Sequence, residues 1–124
     1  MKCYHFVSVP VSSVTLLSRP TDKNPVEVVS DRDQIFSCTT NAGRPSSKIQ
    51  WYISTINITT SASPQPDVCS TDCSDDKVIS SSVLTYTGNR NDGGKILYCT
   101  VINMEGLGVV SSADKTIVIW CKYY

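Results

Sequence analysis

Two cysteines and a tryptophan constrain this 124-residue chain more than any other feature. Cys38 falls in residues 34–40, where Phe36 and Cys38 alternate onto one face. Trp51 falls in residues 48–54, where Ile49, Trp51 and Ile53 share a face, and Cys99 falls in residues 95–103, where Leu97, Cys99 and Val101 do the same. A period of two is that of a β-strand, whose successive side chains point to opposite sides. The three residues therefore point inward from three strands, the tryptophan thirteen positions after the first cysteine and the second cysteine 61 after the first. Such spacing places one cysteine in each of two sheets packed about 10 Å apart, a gap that a disulfide spans and an indole can cover. Closing so long a loop is worth about 4 kcal/mol in the chain-entropy model.

The rest of the chain repeats this logic. Short β-branched and aromatic runs alternate with turn residues, and no stretch of ten residues carries apolar positions at helical spacing without a Pro, Gly or Ser interruption, which makes the chain all-β. Residues 11–17 read as a first strand ended by Ser18, Arg19 and Pro20, and residues 26–29 as a short piece after Pro25; both are expected at sheet edges. Residues 54–76, rich in Ser, Thr, Pro and Asp, read as a long connection with one weak strand near residues 56–59. Alternation resumes over 79–87, a polar turn follows at 88–94, and a last strand over 109–120 is expected to kink or bulge near Ala113 and Asp114.

The sequence around these positions, namely Cys38, Lys48-Ile-Gln-Trp-Tyr-Ile, Ser82-Val-Leu-Thr-Tyr and Arg90-Asn-Asp-Gly-Gly-Lys-Ile-Leu-Tyr-Cys99, resembles the immunoglobulin superfamily, in particular C2-like adhesion and receptor domains. The resemblance covers about residues 12–120. It implies an immunoglobulin-like two-sheet β-sandwich of Greek-key topology, with strands A, B, C, a C′ or D segment, E, F and G and a Cys38–Cys99 disulfide beside Trp51. It also implies a structural role for Arg90 and Asp92, as a salt bridge or as turn hydrogen bonds before strand F. One position departs from the family pattern: Leu97 stands where a tyrosine is common two residues before the second cysteine, and Tyr98 points outward, so the usual tyrosine corner is absent. The corresponding organisation is a tail or linker over residues 1–10, the domain over 11–120 and a short tail over 121–124.

Eleven basic residues balance 11 acidic ones without clustering, which gives no footprint for nucleic acid or anionic lipid. Six cysteines in so short a chain point to disulfides and an oxidising compartment, because zinc needs closely spaced pairs plus histidine and His5 is the single histidine. Cys69 and Cys73 are close enough for a local bond across the polar connection; links to Cys3 or Cys121, or metal binding with Asp72, Asp75 and Asp76, are the alternatives. Cys3 and Cys121 lie outside the two ends of the sandwich and are expected to be interdomain, interchain or free, or to sit in frayed ends.

The first ten residues lack the apolar run of a signal peptide, and the longest apolar stretch near the end, residues 117–121, is far short of the roughly 20 residues that cross a bilayer. Set against the cysteine count, these features lead to the expectation of an extracellular or cell-surface chain that is a fragment or one unit of a longer protein.

Gln50 and Tyr52 alternate away from Trp51, and Tyr98, Thr100 and Ile102 alternate away from Cys99, so these five should share one outer face. Exposed aromatic residues on a sheet mark a candidate protein interface, homophilic or heterophilic; ordinary cross-strand packing on a solvated face is the plainer alternative. Asn57-Ile-Thr59 is an N-glycosylation sequon. No nucleophile, base or phosphate loop is discernible, and no cofactor is expected, so recognition is expected in place of catalysis. A structural spacer or a secreted immune-type pathogen or glycan binder are the other readings.

Overall fold

The computed structural model describes residues 8–70, 76–103 and 108–121. Among them the chain forms strands β1 (Val14–Arg19), β2 (Val26–Val29), β3 (Asp33–Thr40), β4 (Lys48–Ile53), β5 (Ile56–Asn57), β6 (Ala62–Pro64), β7 (Val68–Cys69), β8 (Val78–Ile79), β9 (Ser81–Thr87), β10 (Ile96–Ile102), β11 (Val110–Ser111) and β12 (Lys115–Trp120). One antiparallel sheet runs β1-β3-β9-β6; the other runs β2-β12-β10-β4-β5, with β11 added to β10. β7 and β8 pair separately as a small ribbon. The two early strands expected at edges lie at the edges of different sheets, and this is the Greek-key, immunoglobulin-like sandwich that the resemblance implied.

Alternation places the core. Phe36, Cys38 and Leu84 from the first sheet meet Trp51, Leu97, Cys99 and Ile117 from the second, and all seven are fully buried. Cys38 and Cys99 are joined across the gap, with their Cα atoms 6.6 Å apart. The indole of Trp51 does more than cover that bond, since its N–H donates to the hydroxyl of Ser82 on β9 at 2.9 Å and so ties the sheets together. A buried indole needs such a partner.

The first strand starts at Val14 rather than residue 11, because side chains capture the backbone before it. The N–H groups of Ser12 and Ser13 both donate to Asn41 Oδ1, and that of Val11 to Asn103 Oδ1. The connection after β4 is more ordered than its composition predicts: β5 follows a tight reversal at Ser54 (φ 52°), a 3-10 turn spans Thr59–Ser61, and β6 joins β9 as an edge strand that tolerates Pro64. The last strand is interrupted as expected, between β11 and β12. There the Ser112 N–H donates to the Cys99 carbonyl while its hydroxyl accepts from the Cys99 N–H, which keeps β10 satisfied through the break.

Arg90 opens the 3-10 turn before β10 and Asp92 closes it. The Asp92 carboxylate accepts from the Tyr86 hydroxyl at 2.7 Å and pairs with Lys95 at 3.0 Å. The Arg90 side chain is exposed, and the basic residue paired with Asp92 is Lys95, three positions further along the chain. A tyrosine hydroxyl thus pins this turn although position 97 is leucine, and it comes from β9. Burial first, and then the Asp92 acceptor, push the Tyr86 phenol well above its ordinary value of 10.0, so it stays a donor.

A second polar knot fastens the crossover from β1 to β2. Asp22 Oδ1 accepts from the Ser18 N–H at 3.0 Å and from the buried Lys115 ammonium at 2.7 Å, and that ammonium also donates to the Lys23 carbonyl. Lys115 lies on β12, so the knot holds the crossing segment against the last strand. The hydrogen bond from Lys115, followed by the one from the Ser18 N–H, holds the Asp22 carboxyl below its ordinary value of 3.8.

Candidate functional site

β4 and β10 are adjacent and antiparallel, with Tyr98 opposite Tyr52, Thr100 opposite Gln50 and Ile102 opposite Lys48. Residues directly opposite in such a pair share a face, so the five outward residues of the sequence pattern come together on the outer side of the second sheet. At the centre the Tyr52 and Tyr98 rings stack, with centroids 5.4 Å apart and planes inclined by 13°. The Tyr52 hydroxyl donates to Gln50 Oε1 at 2.9 Å, which fixes the ring along the strand. The stack is half-buried, and Ile102 beyond it is 40% exposed.

The face is larger than those five residues. Ile96 precedes Tyr98 by two on β10 and is 38% exposed, and Val118 and Trp120 alternate outward from Ile117 and Ile119 on β12, Trp120 being 55% exposed. Their signal was present in the alternation that places Leu97 and Ile117 inward. What the sequence lacked was the knowledge that β12 lies beside β10, opposing Thr116 to Ile96. The face therefore combines stacked tyrosines, exposed aliphatic residues, a tryptophan and few charges, the composition of a protein-contact surface.

β5 extends the same face. Asn57 stands opposite Tyr52 and is exposed, and its Nδ2 lies 3.5 Å from the Tyr52 hydroxyl as a donor. Its Oδ1 accepts from the Thr59 N–H at 2.9 Å, while the Thr59 hydroxyl accepts from the Trp51 N–H. Composition placed Asn57 in a long polar connection; the structure makes it a neighbour of the tyrosine stack.

Elsewhere, a groove of about 600 Å³ opens between the two sheets, lined in part by Ser46, Ser47, Ile49, Pro64, Asp67 and Ser80. Its hydroxyls bond locally, as in the Ser47 N–H to Ser80 Oγ contact at 3.0 Å, and no lining residue is aromatic. Cys69 is disulfide-bonded; Cys3, Cys73, Asp72 and Asp75 lie outside the described residues. Cys121 carries an exposed free thiol. Among the described residues no group of three or more His, Cys, Asp or Glu side chains is placed to hold a metal, and no helix is long and apolar enough to cross a membrane.

Residues 15–106 match the family model of the CD80-like C2-set immunoglobulin domain. No curated protein sequence matches the chain. Among solved structures, a structure described as Rst D1-D2 superposes with a TM-score of 0.75 at 17% identity, over 91% of this chain and 51% of that one. The full ectodomain of mouse nectin-like molecule 4, with three immunoglobulin domains, superposes with a TM-score of 0.69 at 17% identity, over 94% of this chain and 36% of that one. Domain C3 of an IgNAR antibody gives 0.58 at 12% identity, over 86% and 97% respectively. The chain spans about half of the first of these structures and about a third of the second. At these identities the likeness establishes the fold.

Proposed function

Since the chain belongs to the CD80-like C2-set immunoglobulin domain family, we propose that it is an extracellular recognition module that binds a protein partner through the outer face of the β12-β10-β4-β5 part of its second sheet. The observation that carries this reading is the Tyr52–Tyr98 stack, held half-exposed in the middle of a face that also bears Ile96, Ile102 and Trp120. Two rings already fixed against each other lose little rotamer freedom on binding, and aromatic anchors of this kind dominate interface energetics. The nectin-like ectodomain, which shares the fold, supports a cell-surface setting of the adhesion or receptor type, as does the Cys38–Cys99 disulfide.

The experiment uses the secreted domain, displayed as a tetramer, on cells that it binds. Tyr52→Ala and Tyr98→Ala should each weaken binding by on the order of 2 kcal/mol, about thirtyfold, as expected of aromatic anchors. Thr85→Ala, on the exposed side of the other sheet, should leave binding unchanged. If both tyrosine variants bind like the parent, also when each carries Asn57→Asp and so no sugar beside the stack, the face is not the contact surface. If the parent binds no cell and does not self-associate in sedimentation, the spacer reading takes its place.

A further inference from the structure

The sequon and the tyrosine stack are one structural unit. Asn57 is exposed on an edge strand, its Cα is registered against that of Tyr52, and its Nδ2 faces the Tyr52 hydroxyl at 3.5 Å. Its amide oxygen is held by the Thr59 N–H at 2.9 Å, so the amide cannot turn over without losing that bond, and the nitrogen remains on the tyrosine side. From this geometry we propose that Asn57 carries an N-linked oligosaccharide whose first sugar lies over the Tyr52–Tyr98 stack and restricts access to the outer face.

The covalent step is a substitution at the anomeric carbon of a lipid-diphosphate-linked oligosaccharide. A bond forms from Asn57 Nδ2 to that carbon, the bond to the diphosphate oxygen breaks with its electron pair leaving on the lipid diphosphate, and one amide proton is released. The glycosylated nitrogen keeps one N–H, enough to go on donating to the Tyr52 hydroxyl. A sugar ring attached there starts within one side-chain length of Tyr52, and its C–H-bearing face can cover the apolar faces of the paired rings. The inference rests on the partner-surface reading only for its consequence, which is that occupancy at Asn57 would set how much of that surface a partner can reach.

The test needs no partner. The protein is secreted from cultured animal cells, glycopeptide mass mapping reads occupancy at Asn57, and hydroxyl-radical footprinting reads oxidation of Tyr52 and Tyr98 before and after amidase release of the glycan. Release leaves an aspartate whose carboxylate still accepts from the Thr59 N–H. Asn57→Asp, secreted in the same way, supplies a reference that never carried sugar, and buried Tyr86 serves as the internal standard. The expected result is an occupied site with severalfold greater oxidation of Tyr52 and Tyr98 in the released protein and in Asn57→Asp, and no change at Tyr86. An unmodified Asn57, or an occupied one with unchanged tyrosine oxidation, overturns the proposal. Loss of the partner-surface reading in the alanine experiment would leave this outcome untouched, so the two can fail separately.

Discussion

The indole N–H of Trp51 and the hydroxyl of Ser82 meet at 2.9 Å across the buried gap between the sheets, in a hydrogen bond that neither strand could supply from its own backbone. Ser82→Ala removes the acceptor and leaves a buried donor unpaired. The expected cost is about 1–3 kcal/mol of unfolding free energy, read by urea denaturation. Ser82→Thr, which keeps the hydroxyl, should fall between the parent and the alanine variant. An alanine variant as stable as the parent would mean that water reaches the indole.

Tyr86→Phe deletes a hydroxyl that donates to the Asp92 carboxylate at 2.7 Å. Hydrogen bonds to charged groups are the stronger class, and a loss of about 1.5–3 kcal/mol is expected. Because the folded phenol titrates above the ordinary value of 10.0, its contribution is complete below that pH and fades as pH climbs through the folded value. Denaturation curves of parent and variant should therefore converge in strong alkali. A constant gap would contradict the assignment.

The Asp22–Lys115 contact has the opposite pH signature. The Asp22 carboxyl is held below its ordinary value of 3.8, so its stabilising effect is fully present above that pH and is lost as pH falls through the lower, folded value. Asp22→Asn should lower the unfolding midpoint at neutral pH, and the difference should shrink in acid. A variant whose deficit is the same at both ends would show that the charge plays no part.

Gly88→Ala should be destabilising by about 1–3 kcal/mol, the usual range for overpacking. A Cβ at this position would stand 2.4 Å from the Val29 carbonyl oxygen and 3.0 Å from Val28 Cγ1, and the nearer of these is backbone that cannot swing aside. Gly93→Ala, with nothing within 4 Å, is the matched control. Equal stability of the two variants in thermal melts would show that β2 yields at no cost.

Much of the architecture was legible because strand periodicity is a local signal. Alternation alone put Cys38, Trp51 and Cys99 inward and Tyr52 and Tyr98 outward, and the interruption near Ala113 followed from a run too long for one strand. What escaped depends on which distant strands become neighbours. Ser82 meets Trp51 across 31 positions, Lys115 reaches the Lys23 carbonyl across 92, and neither residue type announces such a partner.

The same limit applied to the outer face. Five of its residues could be assigned from the strands flanking Trp51 and Cys99, and Ile96 follows from the same alternation on β10, whereas Val118, Trp120 and Asn57 join it only through the β12-β10-β4-β5 order. Family position marks the turn that holds Arg90 and Asp92 without saying which side chains meet there. The carboxylate of Asp92 is satisfied by Lys95 and Tyr86, and which basic residue reaches it depends on the shape of the turn.

β2 and β12 run parallel, from Val26 beside Ile117 to Val29 beside Trp120. Traction applied to the chain before β2 and after β12 would draw these two strands in opposite directions along their common ladder. Their hydrogen bonds would share the load side by side and resist until the whole ladder slips, and single-molecule pulling would register that as one sharp rupture in place of gradual peeling. A pair of short strands at the margin of a sheet thereby becomes a brake against tension.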